Sequence, residues 1–138
     1  MEALSPFDSQ TKLLSKVLDL RANNAQVISS NIANAETPGY SPSVFNFEQD
    51  LKEAIIHSGE IKLSTSNENH IPTGPAGFNS VVGKIVKVHD DTGIGDKNSV
   101  KVDQEMIALS KNELLYETSA QLLKKRLSLL KYVISGGQ

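Results

Sequence analysis

The last part of the chain repeats an apolar step of four and three residues: Val102, Met106, Leu109, Glu113, Tyr116, Ala120, Leu123, Leu127, Leu130, Ile134. Only Glu113 is out of character. Such a step keeps one stripe of an α-helix apolar, and a run this long fits a helix packed lengthwise on another helix. A second stripe, Leu115, Leu122, Leu129 and Val133, widens the face. Asp103, Gln104 and Glu105 suit the positive end of the helix, and Lys131 suits the negative end. Gly136-Gly137 then stop it, so the spacing predicts a helix from about Asp103 to Ile134.

The beginning of the chain has the same rhythm in Leu14, Leu18, Arg21, Ala25, Ile28, Ile32 and Ala35, with Arg21 as the exception. Asp8 or Ser9 can cap this segment. A helix from Ser9 to Ala35 is roughly 40 Å long. Between the two helices lie four of the five prolines and seven of the nine glycines. That density of breakers predicts a loop-rich segment without a compact core of ordinary density. Within it, Phe47–Ile56 suits a short helix, and Ile61–Leu63 and Val81–His89 suit short strands. The stretch from Ser64 to Gly77 reads as loop.

The expected fold is mainly α. Long N- and C-terminal helices pair antiparallel as a coiled-coil-like unit, and an irregular, partly β insertion separates them. Residues 1–35 and 101–138 form the discontinuous helical core through which the chain polymerises, and 36–100 form the middle segment. The C-terminal helix has more apolar positions than one partner helix covers, and a leftover strip of that width promotes association.

Composition narrows the function. The net charge of −2 argues against nucleic-acid binding, which calls for a basic face. The absence of cysteine removes disulfides, thiolate catalysis and zinc–thiolate sites. Met1–Asp8 lacks the basic start and apolar run of a cleavable secretory signal, so none is expected. No apolar run approaches the length of a membrane helix.

The chain offers no catalytic constellation. His57, His70 and His89 all lie in the middle segment and have no partner at metal-ligand spacing. Gly93-Ile94-Gly95 has Asn98 where a dinucleotide loop needs a third glycine, and there is no phosphate-loop or nucleophile-elbow motif. His89-Asp90-Asp91 with Asp96 lacks the frame of a calcium loop. Lys124-Lys125-Arg126 reads as a solvated helix face. No catalytic, metal or cofactor-binding residue is assigned, and no enzyme activity is expected.

Asn24, Val27, Asn31 and Asn34 continue a stripe begun by Leu13, Val17 and Leu20, so one helix face turns from apolar to amide halfway along. Buried amides in a helix seam fix register against neighbours. The alternatives are that these side chains face water, or that Asn34 helps to end the helix. Thr37-Pro38-Gly39-Tyr40 has proline and glycine where a type II turn wants them, and Pro38 forces Thr37 out of helical geometry. The chain leaves the helix at a defined point, with Tyr40 placed to pack back on it.

Asn31-Ile32-Ala33-Asn34-Ala35-Glu36-Thr37-Pro38-Gly39-Tyr40 resembles the N-terminal signature of the flagellar basal-body rod proteins, and Leu20–Gln26 leads into it in the same way. Asn98–Met106, then Asn112, Leu115, Tyr116 and Leu130–Gly136, are similar to the C-terminal pattern of the proximal rod member. His70-Ile71 is similar to a short pattern in the middle of that member. The resemblance covers both ends and only weakly the middle. It departs at Ser41-Pro42, where many relatives have a basic residue.

The resemblance implies a structural subunit of the hollow rod that crosses the periplasm. It implies export through the flagellar type III apparatus without signal cleavage. The implied partners are copies of the chain, other rod proteins, the adaptor protein FliE, and the membrane-ring and export-gate complex, with no nucleic acid and no membrane insertion. An alternative is a cytoplasmic helical adaptor or chaperone of the export system. The residues expected between subunits are Leu14, Leu18, Ala25, Ile28, Asn31, Ile32, Asn34, Met106, Leu109, Tyr116, Leu123, Leu127 and Leu130. Thr37, Pro38, Gly39 and Tyr40 are the expected turn.

Overall fold

The structure is a computed structural model that describes residues 9–57, 77–88 and 100–136. In chain order it contains helix α1 (Ser9–Ala33), strand β1 (Ser43–Asn46), helix α2 (Glu48–His57), a single 3-10 turn (Phe78–Ser80), strand β2 (Lys84–Lys87) and helix α3 (Val102–Ile134). The 25-residue α1 and the 33-residue α3 lie along each other as an antiparallel pair. The expected strand at 61–63, most of the loop at 64–77, and His70 and His89 lie outside the described residues.

α3 begins with Asp103 and Glu105 in its first turn and ends with Lys131 in its last, each next to the dipole end of opposite sign. Gly136 closes it at φ +73°, with the Ser135 N–H donating to the Lys131 carbonyl. α1 ends where Asn34 turns back on its own last turn. The Asn34 N–H and side-chain amide both donate to the Ser30 carbonyl, at 3.1 and 2.8 Å.

The main apolar cluster is not in the seam between the long helices. Leu20 of α1 is buried with Phe45, Phe47, Leu51, Ala54 and Val81 of the middle segment. Leu13, Val17, Val27 and Phe78 border this cluster. The middle segment therefore has a core where the breaker density suggested none. Its aromatics alternate, so Phe45 and Phe47 point inward while Val44 and Asn46 face out. β1 was not legible as a strand, because four residues directly behind Pro42 carry little pattern.

β1 and β2 pair antiparallel with Ser43 opposite Lys87 and Phe45 opposite Ile85. Gly83 leads into β2 at φ +75°, and a Cβ there would collide with the Phe45 ring. Glycine is needed at this position on both counts.

Candidate functional site

The segment that leaves α1 is tied back onto it by one amide. The Asn31 side chain is 1% exposed. Its Nδ2 donates to the Ser43 carbonyl at 2.7 Å, and its Oδ1 accepts the Ser43 N–H at 2.9 Å. The Tyr40 hydroxyl donates to the same Oδ1 at 3.3 Å. In an antiparallel pair, residues directly opposite each other either exchange both bonds or turn both groups outward. Val88 N–H donates to Pro42 O at 2.8 Å, so Ser43, one residue along, points its N–H and C=O away from β2. The Asn31 amide takes both groups and stands in for one residue of a third strand.

The turn sets this geometry. The Tyr40 N–H donates to the Thr37 carbonyl at 3.2 Å, and Gly39 sits at φ +74° with open space around it. That is the bond and the third-position backbone of a type II turn. Pro38 is exposed on the outside of the bend.

A second polar cluster joins the two long helices. Asn112 is 3% exposed and is the buried residue of α3. Its Oδ1 accepts Asn24 Nδ2 at 3.0 Å and Arg21 Nη1 at 3.3 Å. Its Nδ2 donates to the Arg21 carbonyl at 2.9 Å. Arg21 continues outward: its Nη2 pairs with Glu48 Oε1 at 3.1 Å, and its guanidinium lies 5.4 Å from the Phe47 ring centroid. One arginine thus touches α3, α2 and the apolar cluster.

This cluster sets the rotation of α3. The half-buried positions are Glu105, Leu109, Leu115, Ser119, Ala120, Leu123, Arg126 and Leu130, with Asn112 at the centre. The apolar repeat placed Glu113 and Tyr116 at the centre instead. Two adjacent stripes of α3 both carry leucines, so hydrophobicity alone does not choose between them. The partners Arg21 and Asn24 choose the one containing Asn112.

The residues expected between subunits fall into three groups. Ile28 and Asn31 are already buried within the chain. Leu14, Leu18, Ala25, Ile32, Asn34, Leu109, Leu123 and Leu130 are half-buried. Met106, Tyr116 and Leu127 are 56%, 42% and 40% exposed, so they remain open to a neighbour. The Asn31 amide bonds to Ser43 and Tyr40 of its own chain. Spacing did not single out Asn112 or Glu48, and it marked Arg21 only as an exception. The available signal was that exception: a charge inside an apolar repeat asks for a buried polar partner.

Among the described residues, no three His, Asp or Glu side chains converge as a metal set, and no helix is long and apolar enough to cross a membrane.

A family model described as flagella basal body rod protein matches residues 18–40, the stretch that holds Arg21, Asn24, Asn31 and the turn. Along the whole chain the sequence is similar to flagellar basal body rod protein FlgB of three bacteria. It is 34% identical over 134 residues to that of Aeromonas hydrophila, covering 96% of this chain and 97% of the relative. It is 29% identical over 138 residues to that of Salmonella typhimurium, covering 97% and 99%. It is 30% identical over 122 residues to that of Buchnera aphidicola, covering 88% and 90%. The latch, the turn and the helix pair are thus the frame of a chain that belongs to the FlgB family of flagellar basal-body rod proteins.

Proposed function

We propose that this chain is a structural subunit of the proximal rod of the flagellar basal body, and that its helix pair completes its packing only among neighbouring subunits. The observation that carries this reading is the apolar surface left open along α3. Ile107, Leu114, Leu129, Tyr132, Val133 and Ile134 are each more than half exposed, alongside Met106 and Leu122. Open apolar surface of this extent marks an association site. Each such side chain contributes about 1.5–3 kcal/mol when fully covered. Neighbours in a tube supply that cover, and a lone helix pair does not.

The reading includes export through the flagellar type III apparatus without signal cleavage, a place in the periplasmic rod, and contacts with other rod proteins, the adaptor FliE and the membrane-ring and export-gate complex. A structural role calls for no cofactor, metal or catalytic residue. The match to rod proteins along the whole chain leaves nothing that favours a cytoplasmic adaptor or chaperone.

Basal-body fractionation tests the reading. In cells whose own copy of the gene is deleted, the restored chain is expected to co-purify with basal bodies and to restore swimming. Leu127→Asp alters an exposed residue, so the variant is expected to fold and leave the cytoplasm while rod growth stops. A Leu127→Asp strain that swims normally overturns the assigned role of this face. A parent chain found only in the cytoplasm overturns the rod reading itself.

A further inference from the structure

α2 and α3 enclose an open groove of about 500 Å³. Its apolar walls are Phe47, Leu51, Ile55, Ile56 and Leu115; the Arg21–Glu48 ion pair also lines it, and Lys52 and Lys111 add two positive charges beyond that pair. Both lysines are exposed, and neither has an ion-pair partner among the described residues. An apolar floor edged by unpaired cations fits an amphipathic helix that carries acids beside its apolar anchors.

The chain carries such a surface. On the first half of α3, Met106, Ile107 and Leu114 are 56%, 70% and 65% exposed. Asp103, Glu113 and Glu117 share this outer side of the helix, and none has an ion-pair partner among the described residues. Glu113 and Glu117 are four apart, a like-charge spacing that destabilises a helix until a cation comes near. Residues two apart on an α-helix project about 200° from each other. Lys111 and Leu115 therefore face the groove, while Glu113 and Glu117 project from the opposite side of the same helix.

We propose that the outer strip of α3 formed by Met106, Ile107, Glu113, Leu114 and Glu117 docks into the α2–α3 groove of a second copy of this chain, with its carboxylates against Lys52 and Lys111. This rests on the rod-subunit reading and names the neighbour contact. Groove and strip adjoin on α3, where Ile107 and Leu114 stand next to Lys111, but they are not the same patch, so the contact is heterologous, and each copy that accepts one neighbour offers a strip to the next. Such a contact propagates, as a rod requires.

The test is a charge exchange. One variant carries Lys52→Glu and Lys111→Glu, and the other carries Glu113→Lys and Glu117→Lys. In either variant alone, like charges meet at every contact. In an equal mixture, each groove finds a strip of opposite sign. Purified variants of parental helicity by circular dichroism are expected to associate about tenfold or more weakly than the parent when alone. Mixing is expected to restore association. In gene-deleted cells, each variant alone is expected to abolish swimming, and co-expression is expected to return it. Either variant assembling alone as the parent does overturns the proposal, as does failure of the mixture to recover. If the parent chain enters basal bodies while the exchange has no effect, the docking falls and the rod reading stands. If the parent is absent from basal bodies, the rod reading falls.

Discussion

α1 is held on its two sides by different physics. On one side, Leu20 closes an apolar cluster with Phe45, Phe47, Leu51, Ala54 and Val81. On the other, the buried residue that α3 contributes is an asparagine with three hydrogen bonds, and the surrounding leucines are only half-covered. An apolar cluster stabilises strongly but tolerates repacking of similar volume. An amide seam contributes less and accepts one alignment, because a shift of one residue leaves buried donors unpaired. The middle segment is therefore the firmly packed side. The α3 side is specified more than it is stabilised, as suits a surface that neighbours are to complete.

Removing Phe47 breaks the apolar side most. The side chain is 3% exposed and sits 5.4 Å from both Arg21 and the Phe45 ring. Phe47→Ala is expected to cost about 3–5 kcal/mol in urea unfolding. A cost near 1 kcal/mol would mean that the middle segment is not a real core.

Asn112→Ala probes the seam. It strands the half-buried amide of Asn24 and one donor of Arg21, at a cost of about 1–3 kcal/mol. It is expected to raise amide exchange in the middle of α3 more than in β1. Equal acceleration in both regions would show that the two sides of α1 are one cooperative unit.

Asn31→Ala sharpens the comparison, because the latch belongs to neither side. The variant leaves the Ser43 N–H and C=O without their partner, and about 1–3 kcal/mol is expected to be lost. Ser43 exchange should rise while Asn112 stays protected. The smallest effect belongs to Glu48→Gln. Its carboxylate is 65% exposed, so loss of the Arg21 pair should change stability by no more than about 0.5 kcal/mol. A larger change would mean that Glu48 holds Arg21 in position for Asn112.

Much of the fold was legible. The bounds of both long helices, the short α2 and the region of β2 follow from periodicity and breakers. The turn is visible because Pro38 and Gly39 each restrict the backbone in a way that few arrangements satisfy. Asn31 shows why the site was harder to read. Its place in the helix was clear, but its partner is the backbone of Ser43, and backbone groups leave no mark in a sequence. Periodicity placed Leu109, Ala120, Leu123 and Leu130 on the face that α3 half-buries, but it put Glu113 and Tyr116 at the centre of that face where Asn112 stands, because a polar residue gives no apolar signal.

By itself, the sequence determined where this chain is helical, where it turns, and that its helices carry more apolar surface than they can bury on each other. Those properties are local or additive, set by residue spacing and backbone chemistry. The tertiary structure decided which residues of α3 meet α1, which amide closes which strand edge, and where an open groove lies. These depend on pairs such as Asn112 with Arg21 and Asn31 with Ser43, which stand 91 and 12 positions apart and meet only when the chain has folded.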